Sequence, residues 1–207
     1  MAESILTYAL TTVARVKTRM SIDASGFDTL LMYLINSVTD LVEGECNRRF
    51  KETTYTNEVY SNPVGGSGLL ILRQAPVSSV SSLQYRVGLK TNPTWTDFLV
   101  DDWELLEDGA TGIIQLYGSF GQGVNNLRAS YVAGYKINFA NYGDNNTHTL
   151  PADITDLVER IVVKLFKRRE AEGKSQDSFN NGSITWKDTL TAEDEATLAK
   201  YRRTNFF

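Results

Sequence analysis

The chain is predicted to adopt an α+β fold: an antiparallel helical bundle from its N- and C-terminal helices, an inserted antiparallel β-sheet or sandwich module, and a flexible C-terminal arm. Three observations predict it. Near both ends apolar residues recur every three or four positions, the spacing of one helical face. Between residues 53 and 135 the period falls to two, as in strands with one face in solvent. After residue 173 apolar residues thin out and linker-like sequence takes over. The predicted boundaries follow: a helical bundle from 1–50 and 150–172, a β module over 51–149, and a docking arm with a short helix over 173–207.

Taken in order, Thr11 or Thr12 caps a short helix to about Met20, with Val13, Val16 and Met20 on one side. Ser25, with Asp28 three residues on, has the form of a capping box. A long helix is expected from about Phe27 to Asn47. Its stripe is Phe27, Leu30, Leu31, Leu34, Ile35, Val38, Leu41 and Val42, while Asp28, Asn36, Asp40 and Glu43 suit water. Arg48 and Arg49 close it where positive charge favours the helix dipole. Short strands are expected at 54–60, 69–72, 80–87, 103–106, 113–117 and 127–132. Turn signals separate them at Asn62-Pro63, Ala75-Pro76, Asn92-Pro93, Asp108-Gly109 and the glycines of 118–123.

Leu150-Pro151 opens the second long helix, because proline is tolerated in a first helical turn. Ile154, Leu157, Val158, Ile161, Val162, Leu165 and Phe166 form its stripe, which predicts packing against the first long helix. Lys164, Lys167, Arg168 and Arg169 crowd its C-terminal end, either complementing the dipole or contributing to an oligomeric surface. Beyond Gly173, Ile184, Trp186 and Leu190 are scattered. Thr191 with Asp194 repeats the capping-box form and starts a short helix to about Arg203, with Leu198 and Tyr201 on one face. Aromatic anchors on a linker fit docking to a partner better than a core.

Charge and residue inventory exclude several classes of function. The 21 Lys and Arg against 25 Asp and Glu leave a net charge of −4. A protein that grips nucleic acid through phosphates carries a basic excess instead. No apolar run nears the roughly 18 residues a membrane helix needs, so a soluble chain is expected. Met1-Ala2-Glu3-Ser4 lacks the features of a signal peptide. One cysteine, Cys46, and one histidine, His148, exclude an internal disulfide and a Cys- or His-rich zinc site. A Ser-His-Asp triad would need His148, which sits in a polar segment. A Cys46–His148 dyad is the remaining nucleophile pairing, and Cys46 reads as an ordinary helix-borne thiol.

Neither glycine cluster makes a nucleotide motif. Gly65-Gly66-Ser67-Gly68 has no following Lys-Ser/Thr, and Gly118-Ser119-Phe120-Gly121-Gln122-Gly123 has the wrong spacing; both read as hairpin turns. The acids Asp97, Asp101, Asp102, Glu104, Glu107 and Asp108 could supply the carboxylate pair of a hydrolase. Their Asp-Asp and Glu-Asp-Gly runs equally suit turns at strand ends. No catalytic, metal or cofactor residue is assigned, and no cofactor is expected.

The ordered series of elements resembles the head–tail connector (adaptor, or head-completion) proteins of long-tailed bacteriophages over nearly the whole chain. The resemblance rests on Thr11-Thr12-Val13-Ala14-Arg15-Val16-Lys17 and on the helix end Cys46-Asn47-Arg48-Arg49-Phe50. Leu72-Arg73-Gln74-Ala75-Pro76-Val77-Ser78-Ser79-Val80 is similar to the family's strand–Pro–strand element. Ser130-Tyr131-Val132-Ala133-Gly134-Tyr135, followed by Leu150-Pro151-Ala152-Asp153, is its most recognisable piece, and Leu198-Ala199-Lys200-Tyr201-Arg202-Arg203 resembles its C-terminal helix. The family's smaller members are mostly helical, so the β region is an elaboration.

The resemblance implies a non-enzymatic virion protein of the phage neck, assembled in the bacterial cytoplasm. It implies a ring, usually of twelve copies, beneath the portal. That ring extends the DNA channel and presents a surface to the next head-completion, stopper or tail protein. Genomic double-stranded DNA would pass through without sequence-specific binding, and no membrane is involved. With the anchors on the linker, it assigns portal contact to Trp186, Leu190, Leu198, Tyr201, Arg202, Arg203, Phe206 and Phe207. A tail-side completion protein, a non-viral adhesive β module and a carboxylate-dependent hydrolase using the Asp97–Asp108 cluster, with Asp101→Asn and Glu104→Gln as its controls, are the alternatives.

Overall fold

A computed structural model describes residues 4–62, 68–88, 93–117, 123–169, 176–179, 182–185 and 190–203. The fold is α+β, and the chain divides into two compact units. One comprises Met1–Phe50 with Ile137–Arg202, the other Lys51–Lys136 with Arg203–Phe207.

The first unit is helical. α1 (Val13–Met20) starts as expected: the Thr12 hydroxyl accepts from the Arg15 N–H, and Ser21 closes the helix in the left-handed region. A short 3-10 turn at Ser25–Phe27 precedes α2 (Asp28–Cys46). The expected Ser25–Asp28 capping box does not form. Asp28 instead takes the Lys17 ammonium at 2.9 Å. At the other end Asn47 adopts φ 51° and returns its N–H to Glu43 and Gly44 carbonyls, a left-handed stop that Asn tolerates.

α3 (Ala152–Arg168) and α4 (Ala192–Ala199) complete the unit. α2 packs against α3, as the two stripes predict, and α4 touches both. Leu31, Ile35, Val38 and Val42 are buried with Ile154, Leu157, Val158, Ile161, Val162 and Phe166. The stripe on α2 is narrower than expected, because Leu30 and Leu41 are exposed.

The polar residues of α2 do more than meet water. Asn36 accepts from the Leu6 N–H and donates to the Ser4 carbonyl, Thr39 accepts from the Leu10 N–H, and Asp40 accepts from the Tyr8 hydroxyl. They hold residues 4–10 along the helix. Glu43, expected in solvent, is buried; it accepts from the Phe50 N–H at 2.9 Å and pairs with Arg49. Its surroundings override helical periodicity because the chain turns back over it just past the helix end.

The second unit holds two antiparallel sheets. The larger has the order β1-β7-β3-β4 and the smaller β2-β6-β5. The strands are β1 (Thr53–Asn62), β2 (Leu69–Ile71), β3 (Val77–Val87), β4 (Thr94–Asp97), β5 (Trp103–Leu105), β6 (Ile113–Leu116) and β7 (Gly123–Ala133). β7 sits between β1 and β3, so Tyr131 lies opposite both Tyr55 and Val80. Both sheets feed one apolar core, with Tyr60, Leu83, Leu127, Ala129 and Tyr131 from the larger and Leu70, Ile114 and Leu116 from the smaller.

Turns enforce this arrangement. At the Asp108-Gly109 turn Gly109 has φ 83°, and a Cβ there would lie 2.0 Å from the Val77 carbonyl oxygen. Only glycine fits so close an approach. The turns expected at Gly65-Gly66-Ser67 and at 118–122 lie outside the described residues. Beyond α3, β8 (Gln176–Phe179) pairs antiparallel with β9 (Gly182–Thr185), a hairpin where linker-like sequence was expected.

Candidate assembly surface

The residues expected to dock on a partner begin with α4. Thr191 and Asp194 form the predicted capping box: the Asp194 N–H donates to the Thr191 hydroxyl and the Thr191 N–H to the Asp194 carboxylate. Asp194 is also buried on α3, with Arg160 at 2.9 Å and Lys164 at 3.3 Å. Burial alone would raise its pKa; the Thr191 donors and the Lys164 ammonium outweigh that and hold the carboxyl below its ordinary value.

The rest of the segment is equally well held, which corrects the expectation of a flexible arm for residues 190–203. Leu198 is completely buried, and its carbonyl accepts from the Cys46 thiol at 3.8 Å. The Tyr201 hydroxyl donates to Asp153 at 2.7 Å, and its ring meets Phe50 edge-on. Arg202 donates to the Glu45 carbonyl and carboxylate. Arg203, itself part of the second unit, donates there to the Leu72 and Thr111 carbonyls. Leu190 is half-buried. A leucine at helical spacing with two tethered arginines behind it serves the core of its own subunit. Trp186, Phe206 and Phe207 lie outside the described residues.

A second charged constellation joins α1 to α3. Glu159, predicted from neither stripe nor motif, is buried and accepts from the Thr11 hydroxyl at 3.0 Å, Arg15 Nε at 2.7 Å and Arg19 at 3.4 Å. Arg19 also pairs with Asp156 at 2.6 Å, and Asp156 with Arg160 at 2.9 Å. The Arg15 guanidinium lies 4.2 Å over the Tyr142 ring. That places it beside His148, whose ring is 4.9 Å from Tyr142 and 5.0 Å from Phe139.

The nucleophile pairing weighed for Cys46 and His148 has no geometric basis. His148 is buried rather than displayed on a polar loop. Its Nδ1 accepts from the Asn138 N–H at 3.0 Å, so the proton resides on Nε2. Burial chiefly, and the nearby Arg15 charge, lower its pKa. Burial pushes the Cys46 thiol up to about 11, whereas a nucleophilic cysteine needs a depressed value.

The acids between Asp97 and Asp108 occupy strand ends and turns, apart from Glu104 in the middle of β5. Asp97 accepts from Gln84, Asp102 from the Leu99 N–H, and Glu104 from the Tyr117 hydroxyl. Glu107 and Asp108 stand at φ 52° and 49° in a turn. Among the described residues no group of three or more His, Cys, Asp or Glu could hold a metal ion, and no helix is long and apolar enough to cross a membrane.

Besides Leu69, Val87, Val124 and Tyr142, the exposed large apolar side chains fall in two groups. Leu99 and Val100, in the turn before β5, are 72% and 84% exposed, with Tyr117 nearby at 45%. On α2, Leu30, Tyr33 and Leu41 show 36%, 60% and 37% of their surface. Positions 30, 33, 37, 41 and 44 follow one another along a single helical face. They are Leu30, Tyr33, Ser37, Leu41 and Gly44, so this face carries no charge along its middle.

No protein-family model matches the chain, and no curated protein matches it. Solved structures do. The chain is similar to one from the neck of an empty gene transfer agent particle, computed with C6 symmetry, at 14% identity, TM-score 0.56, covering 100% of this chain and 96% of that one. It is also similar to a chain in the virion of a native gene transfer agent particle, at 15% identity, TM-score 0.53 and the same coverage. What the chain shares with these particle proteins is its fold, over its whole length.

Proposed function

We propose that the chain is a structural, non-enzymatic subunit of a phage-like neck, a head–tail connector that forms a ring beneath the portal. The ring, of twelve copies in the family it resembles, extends the DNA channel and offers the docking surface for the next neck or tail protein. The observation that carries this reading is the correspondence of fold over the full chain with a protein of a particle neck. The series of sequence elements that resembles connectors points the same way. A net charge of −4 suits a conduit through which DNA slides, since a strongly basic wall would hold phosphate.

Portal contact is assigned to the C-terminal segment. Leu198 roots α4 in its own subunit, while Leu190, Tyr201, Arg202 and Arg203 keep part of their surface in solvent. With Trp186, Phe206 and Phe207 they form the proposed contact, and the assembled particle is a virion made in the bacterial cytoplasm.

Negative-stain imaging of the full chain mixed with portal particles tests this reading. A connector adds a ring-shaped layer on the portal's outer face. Portal particles that gain no layer, while the same chain caps isolated tails, would identify a tail-side completion protein instead.

A further inference from the structure

We propose that the Leu99–Val100 turn is a self-assembly contact, seating on the basic end of α3 and the adjoining start of α2 in a second copy of the chain. The inference rests on the ring reading above and names the surfaces that would join its subunits.

The turn is built to present these two side chains. Phe98 is buried, its N–H donating to the Leu83 carbonyl at 3.0 Å and its ring set edge-on to Tyr85 at 5.1 Å. Next, Asp102 folds the chain back on itself. Its carboxylate takes the Leu99 N–H at 3.0 Å, and its own N–H donates to the Leu99 carbonyl at 3.1 Å. The Asp102 carbonyl in turn accepts from the Tyr117 N–H at 2.7 Å. Leu99 and Val100 are thus held outward by a stiff frame. A contact residue ordered in advance loses little entropy on binding.

Acids flank the tip along the chain, with Asp97, Asp101 and Asp102 within three residues of it. Residues 91–127 contain six acids and not one Lys, Arg or His. Among the described residues none of those six carboxylates forms an ion pair. An apolar tip with an acidic collar repels nucleic acid and suits a protein surface that is apolar in the middle and basic at its edge.

The same chain carries such a surface. Residues 160–169 hold five bases and no acid. Arg160 and Lys164 serve Asp194, and Lys167, Arg168 and Arg169 end the helix. Arg169 lies 4.2 Å over the Phe166 ring and 5.4 Å over Phe27, whose rings meet at 5.2 Å. One and two turns along α2 from Phe27 stand the exposed Leu30 and Tyr33. The tip and this patch are different surfaces, so their union is head to tail. Such contacts close into rings where the rotation permits. Apolar burial would supply the adhesion, and the opposed charges the register and the encounter rate.

Mass photometry and sedimentation velocity of the full chain, across concentration and at low and high salt, test the proposal. The wild type is expected to self-associate, less so in high salt. L99S/V100S, whose exposed sites leave the circular dichroism spectrum unchanged, weakens association about tenfold or more. D101K and K167E each weaken it, and D101K combined with K167E regains most of the loss. A wild type that stays monomeric at every concentration, or an L99S/V100S that associates like it, overturns the contact. In the second case closed rings would persist, so the ring reading would stand and only the tip would fall. In the first, the portal mixture decides the ring reading independently.

Discussion

Two sets of carboxylates, one in each unit, behave oppositely. In the helical unit Glu43, Glu159 and Asp194 are buried, and each is met by cations and by N–H or O–H donors. In the β unit the acids from Asp97 to Asp108 lie at turns and strand ends, apart from Glu104 within β5, and among the described residues pair with no base. Stranding a partner of a buried, bonded carboxylate is costly, whereas an exposed one contributes little to stability. Charge in the first unit therefore ties helices together. In the second, Glu58 does the same work with Arg73, Tyr60 and Tyr131, whereas the acids from Asp97 to Asp108 are the ones assigned above to the proposed contact.

The comparison is broken most severely at α4. Leu198→Ala removes a fully buried side chain where α4 is seated and is expected to cost about 2–5 kcal/mol in urea unfolding. A loss under about 0.5 kcal/mol would mean that α4 is a loose arm after all. Asp194→Asn comes next, at about 1–3 kcal/mol, because it weakens the cap and leaves Arg160 and Lys164 facing a neutral amide. Its pH signature is specific. The folded pKa lies below the unfolded one, so the stabilisation is complete above about pH 4 and fades as pH falls through the folded value. Asp194→Asn should flatten that part of the stability curve.

His148 sharpens the comparison at smaller scale. Its folded pKa is also lowered, but here the neutral form is the one the fold favours. The contribution is present above about pH 6.5 and is lost as pH falls through the folded value, since an imidazolium would oppose both the Asn138 N–H and Arg15. Unfolding midpoints at pH 7.5 and 5 should differ less in His148→Gln than in the wild type. An equal difference in both would remove His148 from the account.

Much of the fold is legible in the sequence because local patterns dictate it. The stripe of α3, the Thr12 cap, the Thr191–Asp194 box and six of the strands announce themselves within a few residues. β4 did not, since Thr94–Asp97 is four residues long and takes its strand state from β3. Burial of Glu159 and His148 was out of reach for a different reason. Thr11 meets Glu159 across 148 residues of sequence, and no periodicity reports a partner so distant. Leu198 misled for the converse reason: an apolar residue beyond a linker looks the same whether it seeks a partner or its own core.

The smallest expected effect is the most discriminating. Asp101→Asn and Glu104→Gln should each change unfolding free energy by no more than about 0.5 kcal/mol, because neither carboxylate meets a base and Glu104 loses only part of an exposed bond to Tyr117. The same substitutions thin the acidic collar around Leu99 and Val100, so the salt dependence of self-association should weaken with the fold intact. If instead either change costs stability on the scale of Asp194→Asn, these acids are structural like those of the helical unit. The division of labour between the two sets of charges would then be lost, and the tip would have no charged collar to spare for a neighbour.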